Sequence, residues 1–230
     1  MIRAVGFDLD GTLFDHCAAA SSGLANLLRE RGWVYEGSAN LGQEWIRIER
    51  EYFAQYIAGN QTIVEQRKLR MRDFLELTNV EVQDSELDEL VTKYLSHYAN
   101  SWIAYPDVVT TLNALRDSGF RLAVLTNGQQ EQQEAKLAKM GIRDMFESVL
   151  AIGTFSVPKP DVRAFKELAL TLACEPQEVA YVGDDPHTDA IAATRAGMCG
   201  IWLNREGQET PAGIEAEIQS LTSLTTSFRK

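Results

Sequence analysis

Two aspartates, Asp8 and Asp10, stand on either side of Leu9 directly after an apolar run near the start of the chain. The run at residues 4–7 is typical of a buried strand, and Gly11 indicates a turn after it. In an extended chain, residues i and i+2 share a face, so the two carboxylates would repel each other without a cation or a shared proton. The pattern therefore predicts a charged ligand site at the end of a strand, in preference to an ordinary surface turn.

Other polar side chains follow three more predicted strands. Thr126 and Asn127 come after the run 120–125, Lys159 lies beyond the run 148–152, and three aspartates follow the run 178–182, namely Asp184, Asp185 and Asp189. The carboxyl ends of parallel strands meet at one edge of a sheet, where open α/β sheets bind their ligands. We therefore expect these side chains to share one pocket.

The elements that would position these residues fall into two kinds. From Tyr105 onward, strands alternate with helices, which predicts an α/β fold with a doubly wound, parallel, Rossmann-like sheet of five or more strands. Residues 16–103 instead show helical periodicity, and Thr62 and Glu65 form a capping-box pattern within them. We expect a core of residues 1–15 and 104–230, an inserted α-helical domain of residues 16–103, and a short helix near residues 214–221.

Composition narrows the classes of partner. The 230 residues carry a formal net charge of −11, which disfavours nucleic acid polymers and anionic membranes but permits a small phosphorylated metabolite. No apolar run approaches the roughly 20 residues of a membrane helix, and no signal-peptide pattern is seen at the start. The cysteines, Cys17, Cys174 and Cys199, lack metal-type spacing. They indicate a reduced, cytoplasmic protein, and both a monomer and a homodimer are compatible with the chain.

The clustered carboxylates favour Mg²⁺, a hard cation that prefers oxygen ligands. A lysine and the Thr126 hydroxyl could hold phosphate oxygens beside it. A carboxylate next to a bound phosphoryl group can attack in line and form an aspartyl phosphate. A second carboxylate can protonate the leaving oxygen and later activate water.

Four segments together resemble the motifs of the haloacid dehalogenase superfamily, in order: Asp8-Leu9-Asp10-Gly11-Thr12-Leu13, Leu125-Thr126-Asn127-Gly128, Val157-Pro158-Lys159-Pro160-Asp161, and Gly183-Asp184 with Asp189. The resemblance implies that Asp8 is the nucleophile and Asp10 the acid and base, with Lys159 completing the catalytic set. It implies a Mg²⁺ site made by the Asp8 carboxylate, the Asp10 carbonyl and Asp184. The implied phosphate-binding residues are Leu9, Asp10, Thr126, Asn127, Gly128 and Lys159. The insert resembles the helical cap of the superfamily.

Asp10 separates the chain from the true dehalogenases and implies phosphoryl chemistry. Thr126-Asn127-Gly128 and Trp202-Leu203-Asn204-Arg205 resemble a subgroup that holds nucleoside-monophosphate phosphatases and the phosphatase of N-acylneuraminate 9-phosphate. We therefore expect a Mg²⁺-dependent phosphomonoesterase, with a nucleoside 5′-monophosphate as one candidate substrate. The alternatives are a phosphatase of a sugar phosphate, sialic acid phosphate or phosphoglycolate, a phosphomutase, and a non-catalytic metabolite-binding protein.

Four further residues have alternative interpretations. Asp185 could support the metal from behind its ligands or be a solvated loop residue. Asp189 is expected to brace the turn rather than bind metal directly. His187 is interpreted as a loop residue, and His16 as a residue near the pocket mouth that could contact substrate.

Overall fold

A computed structural model of the chain describes residues 1–37, 40–154 and 157–227. It divides into two compact units, one formed by residues 1–15 together with 104–230 and the other by residues 16–103. Among the described helices, none has the length and apolar character needed to cross a membrane.

The unit of residues 16–103 is helical. Its helices are α1 (His16–Arg31), α2 (Leu41–Ile57), α3 (Ile63–Leu77) and α4 (Leu87–Asn100). The Thr62 side chain accepts from the Glu65 amide while the Glu65 carboxylate accepts from the Thr62 amide, so the predicted capping box begins α3. An aromatic core joins the helices, since the Trp45 ring lies 5.6 Å from Phe74 and 4.6 Å from Tyr94 between centroids.

An ion pair between a buried arginine and a partly buried glutamate lies in the same helical unit. Glu49 pairs with Arg70 on α3 and accepts a hydrogen bond at 2.8 Å from His16 Nε2. The other ring nitrogen of His16 is 2.7 Å from the Tyr98 hydroxyl. Burial by itself raises the pKa of Glu49, but the charges of Arg70 and His16 outweigh it, so that the pKa is lowered well below its usual range. His16, predicted near a pocket mouth, is held in this network.

The other unit contains a parallel sheet with six strands among the described residues. They are β1 (Ala4–Phe7), β2 (Arg121–Gln129), β3 (Ser148–Ile152), β4 (Val179–Gly183), β5 (Cys199–Leu203) and β6 (Glu217–Ile218), in the order β3-β2-β1-β4-β5-β6. The order reverses at β1, which pairs with β2 on one side and with β4 on the other. The predicted doubly wound α/β fold is therefore confirmed, and its ligand crevice is expected where β1 and β4 end.

Helices follow the strands of this unit. They are α5 (Val108–Asp117), α6 (Gln130–Lys139), α7 (Val162–Thr171), α8 (Ala192–Arg195) and α9 (Leu224–Ser227). The core between α7 and the sheet includes Phe165, Leu168 and Tyr181, all fully buried. The Phe165 and Tyr181 rings meet edge to face with centroids 5.0 Å apart. Tyr181 thereby carries its hydroxyl from the apolar core toward the edge of the sheet.

Three predicted boundaries are wrong. The helix predicted near residues 214–221 is replaced by β6, which pairs in parallel with β5 and gains ladder hydrogen bonds that outweigh local helical periodicity. Strand β2 does not end at Leu125 but continues to Gln129, which still pairs with β3 after an irregularity in the register between these two residues. Proline is favoured in the first turn of a helix, so Pro160 predicts a helix that begins there; α7 begins instead at Val162, because the Asp161 side chain accepts from the Arg163 amide and caps it.

Candidate active site

Asp8 stands at the end of β1, with its amide still donating to the Val182 carbonyl of β4 at 2.9 Å. The chain then turns sharply, because the Leu9 carbonyl accepts from the amides of Thr12, Leu13 and Phe14. The Leu9 side chain is buried and the Asp8 side chain is nearly so. This turn separates the two predicted catalytic carboxylates, which bind different partners.

Lys159 is the main partner of Asp8. Its buried ammonium group donates to Asp8 Oδ1 at 2.7 Å, to Asp189 Oδ1 at 2.7 Å and to the Tyr181 hydroxyl at 2.9 Å. An ammonium group has three hydrogens, so these bonds fully employ it. The Tyr181 hydroxyl in turn donates to the Leu125 carbonyl at 2.7 Å, which fixes the lysine head between β1, β2 and β4.

Asn127 holds the backbone of Lys159. Its Oδ1 accepts from the Lys159 amide at 2.9 Å, and its Nδ2 donates to the Lys159 carbonyl at 2.8 Å. The resemblance implied that Asn127 binds phosphate, whereas in the structure both ends of its amide are engaged by a neighbouring segment. The visible role of the Asn127 side chain is therefore to place Lys159.

Three carboxylates converge at the ends of β1 and β4. One oxygen each from Asp8, Asp184 and Asp189 lies within 4.8 Å of the others. Asp184 is oriented by Thr12, whose hydroxyl donates to Asp184 Oδ1 at 3.2 Å and accepts from the Asp184 amide at 3.1 Å. The Trp202 ring nitrogen donates to the Asp184 carbonyl at 2.9 Å, so the backbone here is fixed from two sides.

The electrostatics of the cluster call for a cation. Burial raises the pKa of Asp8 to about 7, with Asp189 adding to the shift and Lys159 opposing it. Burial and the charges of Asp8 and Asp189 raise the pKa of Asp184 well above its usual range. Burial lowers the pKa of Lys159, but Asp189 and Asp8 outweigh it, so the net change is upward. One lysine for three carboxylates leaves negative charge in excess, and hard oxygen donors in this number fit Mg²⁺.

The aspartates after β4 have distinct positions. Asp189 Oδ2 accepts from the Asp185 amide at 3.1 Å, so it braces the turn as expected, and it also stands among the three clustered carboxylates. Asp185 is exposed, and its Oδ1 accepts from the amides of His187 and Thr188. Asp185 is therefore the cap of the π-helical turn Pro186–Ile191, and the exposed His187 belongs to that turn.

Two residues of α6, Gln133 and Lys136, hold the Asp10 carboxylate, and neither was predicted from the sequence. Gln133 Nε2 donates to Asp10 Oδ2 at 2.7 Å and to the Thr126 hydroxyl at 2.9 Å. Lys136 Nζ donates to Asp10 Oδ1. The Thr126 hydroxyl also accepts from the Gly128 amide at 3.2 Å. The predicted phosphate-binding residues of β2 are thus joined to the second aspartate.

Thr12 and Tyr181 were missed as well. Thr12 falls inside the first motif, where a hydroxyl two residues after Asp10 is a detectable signal. Tyr181 lies in a strand whose five residues are all buried. Its hydroxyl group was the signal for a polar partner inside this strand.

The chain matches known proteins along most of its length. The family model described as haloacid dehalogenase-like hydrolase matches residues 2–197. A glyceraldehyde 3-phosphate phosphatase of Methanothermobacter thermautotrophicus is 31% identical over 90% of this chain and 87% of its own length. The pyrimidine 5′-nucleotidase YjjG of Escherichia coli is 28% identical over 90% of this chain and 88% of its own.

A solved structure agrees over the whole chain. The magnesium-bound HAD-hydrolase YfnB from Bacillus subtilis superposes with a TM-score of 0.83 at 19% identity, covering 100% of this chain and 99% of that one. At this identity, the likeness concerns the fold.

Proposed function

Because the chain belongs to the haloacid dehalogenase-like hydrolase family, we propose that it is a Mg²⁺-dependent phosphomonoesterase that works through an aspartyl phosphate on Asp8. One observation carries the proposal: the two motif aspartates have separate environments. The Asp8 carboxylate is buried with Lys159 and two further carboxylates, whereas the Asp10 carboxylate is turned to Gln133 and Lys136. Different surroundings suit different roles, a nucleophile and a proton carrier.

In the first step, an Asp8 oxygen attacks the phosphorus of the ester. The bond from phosphorus to the leaving oxygen breaks, its electron pair stays on that oxygen, and the Asp10 carboxyl group gives it a proton. Water then attacks the phosphorus of the aspartyl phosphate and gives a proton to the Asp10 carboxylate. The Asp8 carboxylate leaves with the electron pair of the broken bond, and inorganic phosphate is formed.

Charges near Asp8 support this order of events. The Lys159 ammonium lies 2.7 Å from the proposed nucleophile, so its charge opposes the effect of burial on the pKa of Asp8 and can attract the anionic phosphoryl group. Asp8, Asp184 and the Asp10 carbonyl would hold the Mg²⁺ ion, with Asp189 beside them. When bound, this ion neutralises carboxylates and phosphoryl oxygens as charge develops in transfer.

The substrate is proposed to be a small phosphorylated metabolite. Both named relatives act, by name, on phosphate esters of small molecules, one a triose phosphate and the other a pyrimidine nucleotide. A nucleoside 5′-monophosphate or a small sugar phosphate fits this proposal. The helical unit of residues 16–103 is assigned the role of a cap that selects the leaving group, which is part of the same proposal.

The test is hydrolysis of 4-nitrophenyl phosphate by the wild type and by Asp8→Asn, with Mg²⁺ and with EDTA. We expect activity only in the wild type with Mg²⁺, and phosphate bound covalently to the wild-type protein in a rapid quench. Asp117→Asn, an exposed change on α5, serves as the matched control and should keep full activity. Full activity of Asp8→Asn, or activity in EDTA, would refute the mechanism.

The alternatives give different results. A phosphomutase would convert a sugar phosphate into its isomer and release little free phosphate. A non-catalytic binding protein would bind a metabolite stoichiometrically without turnover. A panel of phosphorylated metabolites, scored by free phosphate, separates these cases and ranks the substrates.

A further inference from the structure

The buried face of α6 carries two polar side chains where an apolar face would be expected. Gln133 is fully buried and Lys136 is 2% exposed, while Leu137 beside them is also fully buried. Burying a lysine is costly unless its charge is paired and hydrogen-bonded. The partner of this lysine is Asp10, the proposed proton carrier.

Both oxygens of the Asp10 carboxylate are held from this one helix. Oδ1 accepts from Lys136 Nζ, and Oδ2 accepts from Gln133 Nε2 at 2.7 Å. A carboxylate with a different fixed donor on each oxygen cannot rotate about its last side-chain bond without breaking a contact. Lys136 Nζ also lies 5.1 Å from the centroid of the ring of Phe14, whose carbonyl accepts from the Gly11 amide in the turn after Asp10. The lysine head is thus restrained independently of Asp10.

Gln133 connects Asp10 to β2. The two hydrogens of its Nε2 serve Asp10 Oδ2 and the Thr126 hydroxyl. Gly128 makes this approach possible, since a Cβ at that position would lie 2.0 Å from Gln133 Nε2. The backbone of the second motif is therefore shaped to admit the glutamine.

We propose that Gln133 and Lys136 are positioning residues that hold the Asp10 carboxyl group in the orientation required for proton transfer to the leaving oxygen. The inference rests on the proposed function and adds two residues that act through Asp10. The proton moves from the Asp10 carboxyl to the leaving oxygen. The bond between Asp8 and phosphorus forms as the bond between phosphorus and the leaving oxygen breaks.

Leaving-group dependence separates positioning from a merely structural role. A leaving group that is a good acid, 4-nitrophenol, departs as its anion and needs little help from a proton donor. Unsubstituted phenol, with a pKa near that of tyrosine at about 10, gains much more from protonation. The two phenyl phosphates are similar in size, so binding changes should affect them alike. The ratio kcat/KM is the suitable quantity, because it covers the steps up to the release of the alcohol.

The experiment measures kcat/KM for phenyl phosphate and 4-nitrophenyl phosphate in the wild type, Lys136→Met, Gln133→Met and Asp10→Asn. Methionine keeps the length of both side chains and removes the donors. We expect kcat/KM for phenyl phosphate to fall roughly 10- to 100-fold in each positioning variant. The fall in kcat/KM for 4-nitrophenyl phosphate should be smaller by a factor of about ten or more, and Asp10→Asn should show the same preference for 4-nitrophenyl phosphate. Lys139→Met, an exposed change on the same helix, should follow the wild type with both substrates.

Equal losses with both esters, or no loss, would overturn the inference. Circular dichroism and Mg²⁺ titration identify any variant that fails to fold, and the two sites provide independent tests. If the wild type hydrolyses neither ester while remaining folded, the proposed function fails instead, so the two failures are distinguishable.

Discussion

The ionisation of Asp8 makes the stability of the metal-free protein depend on pH. Burial raises the pKa of this carboxyl from its ordinary value of 3.8 to about 7 in the folded protein. The folded state thus binds the proton more tightly than the unfolded chain does. The associated stability is fully present at low pH and is lost as pH rises from about 4 to about 7.

The magnitude follows from the two pKa values. Each pKa unit corresponds to about 1.4 kcal/mol. The stability is lost only below the folded-state pKa of about 7, so about two of the pH units between pH 5 and pH 8 contribute. Asp8 alone should therefore lower the free energy of unfolding by about 2–3 kcal/mol over this range. For a protein of this size, that corresponds to a decrease in Tm of roughly 5–10 °C. The pKa of Asp184 is also raised by burial, so its ionisation changes the stability in the same direction.

The assay is urea unfolding in EDTA at pH 5 and pH 8, for the wild type and for Asp8→Asn. The informative quantity is the free energy of unfolding at pH 5 minus that at pH 8. The loss of the Lys159 contact in Asp8→Asn affects both values and therefore largely cancels in the difference. We expect this difference to be about 2–3 kcal/mol smaller in Asp8→Asn, and Asp117→Asn to behave as the wild type does. Saturating Mg²⁺, which binds the ionised form, should remove most of the wild-type loss. Identical pH dependence in the wild type and Asp8→Asn would refute the reasoning.

Two more predictions concern single sites. A Cβ at position 183 would lie 2.3 Å from Asp189 Cγ. Gly183→Ala should therefore destabilise the protein by about 1–3 kcal/mol in urea unfolding and weaken Mg²⁺ binding in a calorimetric titration. Unchanged metal affinity would contradict this prediction. Arg70→Met should cost about 1–3 kcal/mol in urea unfolding, because it leaves the partly buried Glu49 charge without its main partner. The double variant with Glu49→Gln should recover part of that loss, and a double variant no more stable than Arg70→Met would show that the charge is not the cause.

The sequence sufficed to place the residues that follow strands. Asp8, Lys159 and Asp184 are far apart in the chain, but a parallel sheet brings the carboxyl ends of its strands to one edge, so their proximity follows from topology alone. Only the strand positions and the side on which a residue emerges are needed for this prediction. No side-chain conformation had to be known.

Contacts that depend on side-chain conformation could not be predicted in this way. The sequence of residues 130–140 is typical of a polar, solvent-exposed helix. Gln133, Lys136 and Leu137 nevertheless lie on one face of that helix, and this face is buried. A lysine on a buried face was the available signal, but naming Asp10 as its partner requires the packing of α6 against the turn after β1. Likewise, an amide such as Asn127 can bind a ligand or a backbone segment, and only the distance to Lys159 decides between them.

The tail shows a competition that local sequence cannot resolve. Ile214 and Ile218 have the i,i+4 spacing of a helix, but Glu217–Ile218 adds to the edge of β5. Its Glu217 carboxylate accepts from Asn204 Nδ2 at 2.8 Å. These bonds come from residues outside the local window, so the strand is determined by tertiary contacts.

The central position of β1 has a consequence for synthesis. This four-residue strand is synthesised before the other strands of the sheet, yet its two neighbours pair with it only at Arg121 and Val179, more than a hundred residues later. At roughly 5–20 residues per second, Asp189 follows β1 by roughly 10–40 s. During that interval the helical segment 16–103, rich in local contacts, can fold while the apolar strand before it still lacks both partners. The proposed catalytic centre thus forms late in translation, and chaperone binding to the nascent chain should be strongest before β4 emerges.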